Sequence, residues 1–124
     1  MSEQNEISVN YLHRLALQEL ETDMVQEINS DLYNSISKFL KNLKNEKLGG
    51  IEGKINQTMI DMITDITSTL LKLRLEKATL GNSNKSVLLD EEKYILDSRA
   101  EMAERRETSL SGILKGEPHN LHTQ

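Results

Sequence analysis

The sequence predicts an all-α protein, a bundle of about four main helices built around one long central helix. Two observations carry this prediction. From Lys54 to Leu80 the apolar residues recur at steps of three and four, the spacing of one side of an α-helix. Nowhere in the 124 residues do apolar and polar residues alternate as along a half-buried strand, and the β-branched residues stand at helical spacing.

The composition is that of a folded helical domain. Hydrophobic residues make up 36% of the chain and charged residues 28%, with one proline. The absence of cysteine excludes a disulfide framework, a thiolate metal site and a cysteine nucleophile. A net charge of −5 argues against a phosphate-binding role for the whole surface, and 3% aromatic residues argue against base stacking.

The two ends of the chain are predicted to lie outside the folded part. Residues 1–10 read as a flexible leader, residues 11–115 as the helical domain and residues 116–124 as a flexible tail. The leader is polar and lacks the basic-then-apolar order of a signal peptide. Because no run approaches the roughly 18 apolar residues of a membrane span, we expect a cytoplasmic protein with no membrane contact.

Two shorter helices are predicted before the central one. The first is expected to begin at Asn10 as its N-cap, to carry Glu19 mostly outside and to weaken near residues 21–23. Its predicted apolar side comprises Leu12, Leu15, Ala16 and Leu20. The second is expected to begin after Ser30 and has the cleanest pattern in the chain. Its apolar residues are Leu32, Ile36, Phe39, Leu40 and Leu43.

A glycine-rich stretch, Leu48–Gly53, is predicted to be a flexible link that leads into the central helix. The predicted stripe of that helix comprises Ile55, Met59, Met62, Ile66, Leu70 and Leu73, widened by Ile63 and Leu71. A helix of this length spans roughly 40 Å, more than one wall of so small a domain needs. We therefore expect it to project or to be shared with a partner.

A polar loop and a final helix complete the prediction. Gly81–Asn84 is rich in residues that accept left-handed backbone, so the central helix should end there. Asp90, Glu91 and Glu92 should begin the last helix, where the helix dipole favours negative charge. That helix has a thinner apolar side and is predicted to break near residues 109–112.

The residue types that usually carry chemistry do not assemble into a credible site. His119 and His122 have His-x-x-His spacing but stand in the predicted tail without a third ligand, and His13 stands alone. Asp61 and Asp65 lie on the polar side of their helix. We therefore predict a protein that is not an enzyme, with no catalytic residue, no metal site and no cofactor.

Four lysines recur at every third position around the second helix. They are Lys38, Lys41, Lys44 and Lys47. This spacing drifts around a helix, so it makes a broad basic surface. Two interpretations stay open: a solvated face opposite the apolar stripe, or a contact surface for nucleic-acid phosphates or an acidic partner.

Two ordered motifs carry a resemblance to a known family. The central helix ends Leu71-Lys72-Leu73-Arg74-Leu75-Glu76-Lys77, and after a polar loop comes Leu88-Leu89-Asp90-Glu91-Glu92-Lys93-Tyr94. This resembles the helical A domain of GINS replication-factor subunits, with its Leu-x-Leu-Arg-x-x-Lys helix end and Leu-x-x-Glu-Glu helix start. Upstream, Leu20, Val25–Ile28 and Asp31-Leu32-Tyr33 resemble the leader and helix start of that family. The likeness covers roughly residues 12–105.

The resemblance implies a non-enzymatic subunit of the GINS complex. In the archaeal arrangement a small B domain follows the A domain, but this chain ends at Gln124 without room for one. The implied partners are a GINS paralogue or a second copy of the chain, in a tetramer, together with the MCM helicase and a RecJ-like protein. Localisation would then be cytoplasmic, and nucleoid-associated if the source is archaeal.

An interface for these partners is predicted along the central helix and the start of the last one. Its candidate residues are Met59, Met62, Ile63, Ile66, Leu70, Leu73, Arg74, Lys77, Leu89, Glu92 and Tyr94. Arg74 and Lys77 are expected to pair with an acidic residue of a neighbouring helix, Glu92 first, or else to be exposed. The alternative function is a small helical regulator that binds duplex DNA through the lysine-rich second helix.

Overall fold

The computed structural model describes residues 6–116, and these form four α-helices and one 3₁₀-helix. The helices are α1 (Val9–Glu21), α2 (Leu32–Asn45), α3 (Gly50–Thr79) and α4 (Asp90–Leu114), with a 3₁₀ turn at Lys85–Val87. No strand occurs between residues 6 and 116. The prediction of an all-α fold with about four helices and one long central helix is confirmed, since α3 has 30 residues.

The chain divides into two compact units, residues 1–90 and residues 91–124. The first unit holds α1, α2 and α3 around one core. Six buried side chains form its centre: Leu12, Leu32, Ile36, Ile63, Leu70 and Leu89. The described part of the second unit is almost entirely helix α4, which continues to Leu114. The predicted break near residues 109–112 is wrong, because the intrahelical ladder runs through that segment.

Helix α1 begins two residues earlier than predicted. Ser8 is its N-cap, and the Ser8 hydroxyl oxygen accepts a hydrogen bond from the backbone N–H of Tyr11 at 3.1 Å. Leu12 is fully buried, but Leu20 is 63% exposed and Glu19 is fully buried. Leu20 was predicted to be inside and Glu19 outside, so both predictions are wrong. Glu19 is buried because it pairs with Arg74 and Lys77, as described below.

Helix α2 follows the predicted pattern closely. It starts after Asp31 rather than after Ser30, and Leu32 and Ile36 are buried in the core. The remaining apolar residues of the stripe pack half-buried against the core, as predicted: Phe39, Leu40 and Leu43. The carboxyl end of α2 is tied to α3 because Asn56 donates from Nδ2 to the carbonyl oxygen of Leu43 at 2.8 Å.

Helix α3 begins inside the glycine-rich stretch that was predicted to be a flexible link. Gly49 is the N-cap, and Gly50 and Gly53 already belong to the first turn. The N–H of Gly53 donates to the carbonyl oxygen of Gly49 at 3.1 Å. A Cβ at Gly53 would lie 2.5 Å from the carbonyl oxygen of Leu48, so the missing side chain allows the incoming chain to approach the helix.

The inner face of α3 is rotated from the predicted stripe. Ile63, which the sequence placed at the edge of the stripe, is fully buried, whereas Met62 is 45% exposed and Ile55 is also exposed. Helical spacing does not choose between these two faces, because Met59, Ile66 and Leu70 fit either one. The packing of α1 and α2 against α3 determines which face is buried.

The end of α3 lies where the sequence predicts it. Gly81, at φ +85°, follows the C-cap residue Leu80. Its N–H donates to Ala78, and the N–H of Asn82 donates to Lys77, which is the hydrogen-bond pattern of a Schellman motif. The carbonyl of Asn82 in turn accepts from the N–H of Val25 at 3.0 Å. The loop after α3 is thus bonded to the loop after α1.

Candidate functional site

Three charged side chains meet at the carboxyl ends of α1 and α3, and we call Glu19, Arg74 and Lys77 the ionic cluster. Arg74 Nη1 lies 3.1 Å from Glu19 Oε1, and Lys77 Nζ lies 2.7 Å from Glu19 Oε2. The side chains of Glu19 and Arg74 are fully buried, and that of Lys77 is 13% exposed. Glu19 Oε2 also accepts from the N–H of Gln26 at 3.2 Å.

The ionic cluster fixes the chain that leaves α1. Arg74 donates to the carbonyl oxygen of Gln26 at 2.7 Å and to that of Val87 at 3.3 Å. Lys77 donates to the carbonyl oxygens of Glu19 and Met24, and to the Thr22 hydroxyl. Because the buried charges have several hydrogen-bond partners each, the desolvation that burial imposes on them is compensated. The cluster therefore joins three segments of the first unit.

The expected pairing of Arg74 and Lys77 with an acidic residue of a neighbouring helix is thus met by Glu19 of α1. Exposure of both cations, the other expectation, is wrong because Arg74 is fully buried. The pairing with Glu92 stays a prediction. Glu92 is itself fully buried.

A second feature of the first unit is an exposed apolar strip along α1 and α3. Its amino-terminal part is a groove of about 340 Å³ lined by Val9 of α1 and by residues of α3 from Ile51 to Met62. Its carboxyl-terminal part is a groove of about 300 Å³ between His13–Leu20 of α1 and Asp65–Leu73 of α3. Met62 in the first groove and Ile66 in the second stand one helical turn apart, so the two grooves follow one face of α3.

We call this strip the apolar seam and define it by its exposed members. These are Leu17, Leu20, Ile51, Ile55 and Met62. The length difference between the helices explains why the seam is open: α3 spans about 45 Å and α1 about 20 Å at about 1.5 Å per residue. Val9, the first residue of α1, is the one residue of that helix that lines the first groove, whose other lining residues belong to α3.

A third feature is the set of four lysines on and after α2. All four side chains are exposed, and none makes an ion pair within residues 6–116: Lys38, Lys41, Lys44 and Lys47. We call these residues the lysine surface. The prediction of a broad basic surface opposite the apolar stripe of α2 agrees with this placement.

The structure separates the predicted interface residues into three groups. Ile63, Leu70 and Leu89 lie in the core, and Arg74 and Lys77 belong to the ionic cluster, so a partner does not reach them in this conformation. A second group lies half-buried beside the seam: Met59, Ile66 and Leu73. The third group is exposed, and it consists of Met62 and Tyr94. The remaining predicted residue, Glu92, is fully buried.

The remaining candidates for chemistry do not converge. His13 lines the second groove of the seam beside Asp65, and His119 and His122 lie outside the described residues. Within the described part of the chain, no group of three or more His, Asp or Glu side chains is placed to hold a metal ion. None of the described helices combines the length and the apolar character needed to cross a lipid bilayer.

Sequence reasoning missed two sets of residues. Ile51, Leu17 and Leu20 were not recognised as a surface, although Leu17 and Leu20 stand three apart and Ile51 stands one turn before Ile55. Glu19 was placed outside, although it continues the buried side of α1 seven residues after Leu12. In both cases, helical spacing alone would have indicated the correct face of the helix, whether the residue was apolar or charged.

Comparison with known proteins gave no match. No protein-family model, no curated protein and no solved structure matches this chain.

Proposed function

We propose that this chain is a non-enzymatic assembly subunit of the GINS type, which supports the MCM helicase during DNA replication. The observation that carries the proposal is the apolar seam. An exposed strip of large apolar side chains along two packed helices is typical of a surface that another protein covers. The replication role itself rests on the resemblance of the motifs around Arg74 and Glu92.

The seam has the form of a helix-binding surface. Its two grooves run in one line along α1 and α3, and their walls are mostly apolar. A partner helix that lays its own apolar stripe into such a groove buries both stripes at once. Lys54 borders the first groove and Asp65 borders the second, so charges of both signs are available to fix the direction of the partner.

The Leu-Arg-x-x-Lys motif supports the proposal through the internal order of the domain. In this chain the arginine and the lysine hold the end of α1 against α3, and the same pairing sets α1 beside the exposed face of α3. We therefore assign the motif to building the assembly surface rather than to contacting the partner. The partners proposed are a GINS paralogue or a second copy of the chain in a tetramer, the MCM helicase and a RecJ-like protein.

The experiment is affinity purification of the tagged chain from its source cells, with native mass measurement and identification of the proteins that come with it. Wild type is compared with the seam variant L20E/M62E. Its control is L48E/L80E, which adds the same charges at exposed apolar residues away from the two grooves. Wild type and control should bring stoichiometric helicase subunits and a GINS-like chain.

The seam variant should lose these partners at least about tenfold, because a carboxylate buried without a partner at an interface costs about 2 kcal/mol or more. Recovery equal to that of wild type would reject the seam as the assembly surface. A wild-type chain that elutes as a monomer without replication proteins would reject the function. Reversal of the charge at Arg74 is not a suitable test, because it would unfold the end of α1.

A further inference from the structure

We propose that the lysine surface binds the phosphate backbone of duplex DNA, independently of base sequence. The lysine surface is separate from the apolar seam: none of its residues lines either groove. The proposed phosphate binding by this surface does not depend on the assembly role. The choice of DNA over RNA does rest on the proposed replication function, and the experiment below separates the two.

Charge distribution is the first support. The segment from Leu32 to Gly49 contains four lysines and one glutamate, a net charge of +3 in a chain whose total is −5. Helix α2 itself contains no acidic residue. An unpaired basic segment in an acidic protein is a local positive potential that attracts phosphate while the remaining surface repels it. Binding should therefore occur through this one surface.

The neighbours of the lysines are the second support. The other exposed residues of α2 are hydrogen-bonding groups: Asn34, Ser37, Asn42 and Asn45. None of the large apolar residues of α2 is among the exposed ones. Protein interfaces have apolar or aromatic centres, and helix α2 exposes none; the nearest exposed apolar residue, Leu48, follows Lys47 after the helix has ended. Lys, Asn and Ser are the usual donors to DNA phosphates.

The aromatic residues are the third support, and they favour duplex over single-stranded DNA. Single strands are held largely by stacking of their bases on aromatic side chains. Tyr33 and Phe39, the aromatic residues of α2, are half-buried against the core and are not presented with the lysines. Successive lysines at i and i+3 lie about 5–6 Å apart at Cβ, so neighbouring lysines of the surface are close enough to contact the same stretch of DNA backbone.

Rigidity is the fourth support. Leu32 and Ile36 anchor one end of α2 in the core, and the hydrogen bond from Asn56 to Leu43 fixes the other end. Lys41 and Lys44 flank Leu43 in sequence, so their backbone is held in place before DNA arrives. Less conformational entropy is then lost on binding than with lysines on a mobile loop.

The test is fluorescence anisotropy of the full chain with a labelled 30-base-pair DNA duplex of arbitrary sequence. With three or four phosphates neutralised, affinity should fall about 40- to 150-fold between 50 and 200 mM NaCl. The lysine variant K38Q/K41Q/K44Q/K47Q should bind at least about tenfold more weakly at 50 mM, with a salt slope smaller by about 3. The lysine-to-arginine variant at the same four positions should keep binding.

The matched control removes four exposed positive charges elsewhere and should change affinity less than threefold. It consists of K72Q, K93Q, R99Q and R105Q.

Absence of binding at 50 mM, or equal loss in the two glutamine variants, overturns the proposal. Equally tight binding to polyglutamate assigns the surface to an acidic protein, and tighter binding to an RNA duplex or to single-stranded DNA assigns it to those ligands. Failure of all these tests leaves the assembly role untouched, since helicase subunits can still co-purify.

Discussion

The two ends of helix α3 contrast in a way that reverses the usual rule of apolar inside and charged outside. At the carboxyl end, Arg74 is fully buried and Lys77 nearly so. At the amino end, Ile51 and Ile55 are more than half exposed. The same helix therefore buries two cations near its carboxyl end and exposes two isoleucines near its amino end.

The contrast teaches that the neighbours of α3, and not its own residues, decide which positions are covered. At the carboxyl end, Glu19 and the loop that follows α1 supply a carboxylate and several carbonyl oxygens, so two cations can leave water. At the amino end, Val9 is the one residue of α1 that lines the groove with Ile51 and Ile55. Under the proposed assembly role, another chain would cover the exposed end.

The largest effect is expected from removing the acid of the ionic cluster. Glu19→Ala leaves Arg74 and Lys77 without their shared carboxylate, and breaking a buried pair in this way costs about 3–5 kcal/mol. Urea unfolding followed by circular dichroism gives the free energy of unfolding. Glu21→Ala is the control on the same helix, and because Glu21 is exposed, its change should stay within about 0.5 kcal/mol. A loss below 1 kcal/mol for Glu19→Ala would contradict the role assigned to the cluster.

A second comparison tests the orientation of α3 at two adjacent residues. Ile63→Ala removes a fully buried side chain and should cost about 2–4 kcal/mol, while Met62→Ala should cost less than about 1 kcal/mol. Thermal and urea unfolding of the two variants measure the difference. If Met62→Ala were the more damaging change in the isolated chain, the inner face would be the one that periodicity alone suggested.

A smaller effect is expected where the chain enters α3. Gly53→Ala places a Cβ against the carbonyl of Leu48, and relief of this contact should cost about 1–3 kcal/mol. Gly49→Ala is the control, because a Cβ there meets no atom within 4 Å and the backbone φ is −110°. Because Gly49 is the N-cap, where alanine is less favourable than glycine, the control should cost less than about 1 kcal/mol in the same unfolding measurements. Equal stability of the two variants would mean that Leu48 moves away freely.

Helical spacing predicted which elements form but not how far each extends. The apolar stripe of α2 was predicted well because its polar side contains only Asn, Ser and Lys, so one face is clearly distinct. In α3, apolar residues cover more than one face, and the choice between Met62 and Ile63 depended on where α1 packs. The start of α3 was missed because glycine opposes helix only on average, and Gly53 is required by the close approach of Leu48.

The candidate sites were predicted unevenly for a related reason. The lysine surface followed from local spacing, since exposed charges need no partner. The motif with Arg74 and Lys77 was noticed, but their partner Glu19 was not, because pairing across 55 residues leaves no local pattern. The seam was partly anticipated as an unmatched apolar helix, while its α1 side became visible only with the two helices together.

The separation of 55 residues between Glu19 and Arg74 also sets a delay between the synthesis of the two partners. At about 5–20 residues per second, Arg74 is added roughly 3–11 s after Glu19. During this interval α1, which has 13 residues, is too short to be stable alone and has no cation to neutralise its inner carboxylate. We expect α1 of the nascent chain to stay unfolded in water until α3 has emerged, so that α1 is fixed only after the later helix that pairs with it has been made.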